Sequence, residues 1–227
     1  MLKITGTMML VLMLTTLSAS AAWIAPADSD QSSADETYLT AETTVNGNGM
    51  YVPTPNTYHS NNATYSPFTP GEMGMMWLSE DGDDEPWVAF GFGGLITVDE
   101  LKIWNFNDQS QLSAGILEAR VLYTTDTTLP LASRMWTDAG TIAVARGTGS
   151  GYYGANTVID VPTDLPGLDG VEMTGIMLEV LDTYGSTQAG LSEINFEGTE
   201  VPEPATMGLL AVGGIAMLRS RRRRNKK

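Results

Sequence analysis

One histidine, His59, occurs in the chain, and a Ser/His/Asp relay would have to use it as its base. It lies in Tyr58-His59-Ser60-Asn61-Asn62, a composition that predicts a loop, where solvation or a hydrogen bond is the ordinary role of an imidazole. No cysteine is present, which removes thiol nucleophiles, disulfides and cysteine zinc sites. The 27 acidic residues could in principle supply the two carboxylates of a glycosidase. No motif sets two of them at a defined separation, so a solvated acidic surface is the simpler expectation. The chain reads as non-catalytic.

Two other groups could bind rather than react. Glu80-Asp81-Gly82-Asp83-Asp84-Glu85 is the sharpest charge run, and crowded carboxylates are relieved by a hard cation such as Ca²⁺, which takes six to eight oxygens. Asp81, Asp83 and Asp84 are the candidate ligands, although the spacing is not that of an EF-hand. The second group is aromatic. Tyr58, Trp136, Tyr152 and Tyr153, with His59 beside the first, fall in Gly/Asn/Thr-rich stretches and could present flat rings to a sugar face. Trp77, Trp87 and Trp104 sit in strand-like sequence and are expected in the core.

Charge narrows the partners. The net charge is −15, yet the basic residues crowd into the tail as Arg219, Arg221–Arg224, Lys226 and Lys227. Between Ala22 and Val201 the only cations are Lys102, Arg120, Arg134 and Arg146, against every acid of the chain except Glu203. A nucleic-acid partner needs the opposite sign, because phosphates must be neutralised; that class is excluded.

Both ends read as addresses. Residues 1–22 carry Lys3, an apolar run through Met8–Leu17 and the small-x-small triplet Ala19-Ser20-Ala21, the pattern of a signal peptide cut by signal peptidase. At the other end Ala205–Leu218 would make roughly 21 Å of helix at 1.5 Å per residue, against a hydrocarbon core of about 30 Å. That length suits a transient membrane insertion better than a permanent span, with the arginines held on the cytoplasmic side. Residues 23–42, with the polar run Asp28–Glu36, are expected as an acidic flexible lead-in.

Residues 43–199 must hold the candidate groups in place. Period-two alternation recurs there between Gly, Pro, Asn and Asp punctuation. It predicts strands at Trp87–Phe92, Ile96–Val98, Leu101–Phe106, Ile116–Thr124, Thr157–Val161, Gly175–Leu181 and Leu191–Phe196. In Ile116–Thr124, one face would carry Leu117, Ala119, Val121 and Tyr123. No long helical stripe intervenes, so the fold class is all-β, a jelly-roll β-sandwich flanked by the signal peptide and a short hydrophobic C-terminal helix.

Two resemblances add to this. Val201-Pro202-Glu203-Pro204, the short Gly/Ala/Leu-rich segment and the cluster Arg221, Arg222, Arg223 and Arg224 in residues 200–227 resemble the PEP-CTERM sorting signal. That likeness implies processing by an exosortase in a Gram-negative-type bacterium and delivery to the cell surface or extracellular matrix. In the body, Met76-Trp77-Leu78-Ser79, Pro86–Phe92, Val98–Asn107, Gly115–Asp126 and Gly190–Gly198 follow one another as in the discoidin, or coagulation-factor type C, pattern. The resemblance implies a galactose-binding-domain-like jelly roll whose end loops bind sugars, lipid head groups or proteins. It departs at Phe90-Gly91-Phe92-Gly93, where an acidic residue is usual, and at Thr127–Thr148, long for a connection.

Related sandwiches hold a structural Ca²⁺ with a glutamate of the last strand. Glu193 stands where that glutamate would be, while the Asp and Thr expected ahead of Trp77 are missing. The expected function is an exported carbohydrate-binding or adhesion module acting on extracellular polysaccharide. A structural envelope or matrix protein without a specific ligand is the alternative, and a polysaccharide-acting hydrolase the third.

Overall fold

The computed structural model describes residues 22–35, 41–45, 50–51, 58–59, 76–108, 110–149 and 154–202. The strand β6 (Trp87–Asn105) organises them. Its first part pairs antiparallel with β10 (Met173–Thr183), from Trp87↔Glu179 to Gly91↔Gly175. On its other side lies β2 (Asp28–Gln31), from Val88↔Gln31 to Gly91↔Asp28. Its second part pairs with β11 (Gly190–Glu200), from Ile96↔Glu200 to Asn105↔Leu191, and with β9 (Thr157–Asp160). One strand therefore belongs to both layers of the sandwich.

The alternation predicts three separate strands over 87–106; the structure has one. Gly93 and Gly94 read as a break, but without side chains they let the backbone bend between the paired positions Gly91 and Ile96, where the register on β10 shifts between Gly175 and Met173, and the strand resumes. β7 (Ile116–Thr124) and β8 (Thr137–Ala143) extend the first layer beyond β10, and β1 (Ala22–Ile24) closes the second layer beside β11. β5 (Trp77–Leu78) pairs with the start of β11, and β3 (Met50–Tyr51) pairs with β4 (Tyr58–His59) as a separate ribbon. A single turn of helix, α1 (Val161–Asp164), follows β9 and takes up Val161, expected as the last residue of that strand.

The core lies between the layers. Val88, Phe90 and Phe92 from one half of β6 meet Leu101 and Ile103 from the other, with Ile176, Leu178, Ile194 and Phe196. A register shift between Glu197 and Gly198, opposite Asp99, keeps Ile96 and Val98 on the same side as Leu101 and Ile103. In β7, Ala119 and Val121 face the core and Tyr123 packs against it, as the alternation requires. Leu117 does not: β10 bulges around Asp182, and Ile116 takes the core position instead. Trp77 and Trp104 are fully buried, as expected. Trp87 is not; it lies half-buried with Leu122 and Trp136 over Ala89, Leu131 and Met177, a cluster separate from the main core.

Three expectations about connections are corrected. Asp28–Gln31, expected in a flexible lead-in, is β2, and the sheet begins at Ala22. A polar strand on the outside of a sheet gives no hydrophobic alternation, because backbone pairing rather than side-chain burial holds it; Asp30 adds a bond from the Ala132 N–H. The long stretch Thr127–Thr148 contains β8, an outer strand whose Asp138 and positive-φ Gly140 disguise it as a loop. Tyr58 and His59, expected in a loop, form β4.

Candidate functional site

Strand directions sort the connections into two ends. Trp87, Asn105, Ile116, Ala143, Thr157, Thr183 and Gly190 all lie at one end of their strands, as the pairs Thr183↔Ile116, Glu118↔Ala143, Ile103↔Thr157 and Leu191↔Asn105 require. The segments 79–86, 106–108, 110–115, 144–149, 154–156 and 184–189 therefore gather there, at what we call the loop end. Ile96, Thr124, Met173 and Glu200 mark the opposite end, where Val201 leaves the sheet.

The loop end holds a cleft of about 250 Å³, with Asp83, Asp84 and Pro86 facing Asp182, Thr183 and Gln188. Its walls are fixed from within. Ser32 Oγ and Ser33 Oγ both donate to Asp83 Oδ2, and the Glu85 N–H donates to Asp83 Oδ1. Burial pushes the Asp83 carboxyl up, but these three hydrogen bonds outweigh it and hold its pKa below the ordinary 3.8. Thr187 donates its hydroxyl to Asp81 Oδ1. Gln188 Nε2 donates to Ser79 O at 2.9 Å, while Ser79 Oγ accepts from the Ala189 N–H at 2.9 Å. A rim held this way costs little ordering when something binds.

Beside the cleft, residues 144–149 and 154–156 are held by two buried asparagines, Asn105 and Asn107. The Gly149 N–H donates to Asn107 Oδ1 at 2.6 Å, and the Asn105 N–H donates to Asn156 Oδ1 at 2.8 Å. Asn105 also donates through Nδ2 to Ile116 O and Ala145 O, and accepts at Oδ1 from the Phe106 and Ile116 N–H groups. Arg146 completes the junction. Its guanidinium lies 5.6 Å from the centre of the Tyr184 ring, its Nε donates to Leu112 O, and the Tyr184 hydroxyl donates to Val144 O at 2.7 Å. Three connections are thereby tied into one surface.

The predicted site residues divide accordingly. Asp81, Asp83 and Asp84 are at the loop end; Tyr152 and Tyr153 lie outside the described residues. Trp136 is not brought to them, since it packs on the outer face of the first layer against Leu131. Tyr58 and His59 belong to β4, and their side chains lie outside what is described. Glu193 is fully buried in β11, opposite Trp104, whereas Asp81 and Asp84 are exposed. Among the described residues no group of three or more His, Asp or Glu side chains is set to hold a metal ion.

Sequence reasoning missed Asn105, Asn107, Tyr184, Asp182 and Gln188. Asn105 carried a readable signal, because strand parity puts it on the same face as Leu101 and Ile103, and a buried amide must find partners.

The fold is that of the discoidin-like, galactose-binding-like jelly rolls. It is similar to a fucolectin from the striped bass Morone saxatilis (12% identical, TM-score 0.53, 81% of this chain and 51% of that one). It is also similar to the CBM32-3 module of a family 31 glycoside hydrolase from Clostridium perfringens (11% identical, TM-score 0.50, 78% of this chain and 95% of that one). An F5/8 type C domain from Bacteroides fragilis gives 11% identity and a TM-score of 0.48, over 80% of this chain and 97% of that one. No curated protein matches the sequence. Residues 200–224 match the PEP-CTERM protein-sorting motif, and the chain carries that motif. No helix among the described residues is long and apolar enough to cross a membrane; the segment 205–218 lies outside them.

Proposed function

We propose that the protein is an exported, surface-sorted carbohydrate-binding module without catalytic activity, which attaches to extracellular polysaccharide through its loop end. The observation that carries this reading is the arrangement of β11. Its first residue, Gly190, adjoins the loop-end cleft, and its last, Glu200, leads directly into the sorting motif. A body delivered by that tail would turn its preset cleft away from the attachment side. Carbohydrate enters as the ligand class through the fold shared with a CBM32 module and a fucolectin. Delivery would involve signal peptidase at one end and, at the other, brief membrane insertion and an exosortase.

The test is a glycan array probed with the purified secreted protein. Binding to a defined saccharide, lost on Gln188→Ala or Asp182→Ala and kept on Trp136→Ala, is the expected result. Failure to bind any saccharide would favour a structural matrix protein, a reading supported by the strong acidity of the body. Turnover of a polysaccharide by the same preparation would overturn the non-catalytic reading.

A further inference from the structure

The last strand constrains where the sorting tail is removed. We propose that the tail is cut C-terminal to Pro202, so that Val201 and Pro202 remain on the mature protein; the proposal rests on the sorting reading above. A processing protease takes its substrate as an extended chain with free backbone groups on both sides of the bond it cuts. Residues Phe196–Gly198 offer none, and Thr199–Val201 offer them only on the side away from β6. Gly198 is paired on one side with Ala22 and on the other with Val98, Glu197 with Trp23 and Glu100, and Phe196 with Ile24 and Leu101. Thr199 and Glu200 continue the ladder on Thr97 and Ile96, and the Val201 N–H donates to Leu95 O at 2.8 Å. The packing is as tight as the pairing. A Cβ on Gly198 would lie 2.0 Å from Thr97 O, and Phe196 is fully buried.

The ladder stops at Pro202. Proline has no N–H to donate and holds its own φ, so it cannot extend the strand, and this residue is exposed. Beside it the sandwich leaves a groove of about 470 Å³, bordered by Phe92, Gly93, Gly94 and Leu95 on one side and Glu200–Pro202 on the other. Space and a free backbone therefore coincide first at Pro202. The opposite junction is equally close: Ala22, at the C-terminal end of the predicted signal peptide, already pairs with Gly198 in the sheet. Neither targeting segment has a linker to spare.

Intact mass and C-terminal peptide analysis of the native secreted protein would test this. The expected chain ends at Pro202 or later and has lost Arg221–Arg224. A mature chain ending at Val201 or earlier would overturn the boundary and leave the sorting reading standing. A surface-exposed chain that retains Arg221–Arg224 would overturn the sorting reading and the proposal together. Proteinase K digestion of the full-length unprocessed chain supplies a readout that needs no exosortase: the resistant core should end at or beyond Pro202, and trimming into Phe196–Val201 would overturn the placement.

Discussion

The rings of Phe90 and Phe196 lie 5.4 Å apart at 59°, although Phe90 pairs with Ile176 in one layer and Phe196 with Leu101 in the other. Phe92 meets the same Phe196 edge-on, at 5.2 Å and 85°. This trio closes the sandwich across its core, and its tilted and edge-on geometry is the favoured one for aromatic pairs.

Phe196→Ala should accordingly destabilise the protein by about 3–5 kcal/mol, measured by urea denaturation of the secreted protein. Trp87→Ala, at a half-buried position outside the main core, should cost roughly 1–2 kcal/mol, nearer the usual range for single substitutions. Equal costs for the two would mean that the outer-face cluster is as tightly enclosed as the core.

Asn105→Asp tests the clamp on residues 144–149 and 154–156. The substitution puts an oxygen where two N–H groups now face Ile116 O and Ala145 O, and buries a charge beside them. We expect a loss of roughly 3–5 kcal/mol, the size associated with a buried uncompensated charge, together with faster amide exchange at Gly149 and Ile116. A variant with unaltered stability would show that the clamp is dispensable.

Asp83 predicts a pH dependence with a definite sign. Its folded pKa lies below the ordinary value of 3.8 because, although burial raises it, the hydrogen bonds from Ser32, Ser33 and the Glu85 N–H outweigh that effect. The unfolded chain therefore takes up the proton first as pH falls. The stabilisation is present above about pH 4 and is lost below it, as pH passes through the folded pKa. Asp83→Asn should be less stable than the unaltered protein near neutrality, and the difference should shrink below pH 4. A difference that grew on acidification would reverse the assignment.

The hydroxyl partners of the loop acids predict the response to Ca²⁺. A bound ion at a hundredfold excess over its Kd would stabilise by about 2.7 kcal/mol, whereas screening of an acidic surface follows ionic strength. Asp81 and Asp83 are engaged by hydroxyls, and among the described residues no three acids gather to hold an ion. Ca²⁺ and Mg²⁺ at equal ionic strength should therefore shift the melting midpoint alike. A Ca²⁺-specific rise that Glu193→Gln abolishes would show instead that Glu193 completes a site with residues beyond those described.

What the sequence makes legible follows from where the stabilising groups are. β7 is readable because alternate residues enter the core, and Ile116–Thr124 is found with the bounds that its alternation predicts. β2 is silent because its contribution is backbone pairing, and its Asp and Ser side chains look like those of a loop. The sorting tail is legible because its recognition is linear. The loop-end cleft is not, since Asp84 and Asp182 become neighbours only when β6 and β10 pair, and neither residue type is unusual by itself. Trp136 shows the converse: an aromatic in Gly/Thr-rich sequence looks available, yet Leu131 and Met177 provide it with a shelf.

The course of β11 also has a mechanical meaning. The strand runs the length of the sandwich, about 33 Å for its 11 residues at roughly 3 Å each, from the cleft to the exit of the tail. A pull between a polymer held at the cleft and an attachment beyond Pro202 would act along that strand. It would load the bonds to β6 in shear, so that many must yield together rather than one after another. With β1 flanking Phe196–Gly198 and β6 beside it from Leu191 to Glu200, β11 would act under the proposed function as a tension member between the cleft and the exit of the tail.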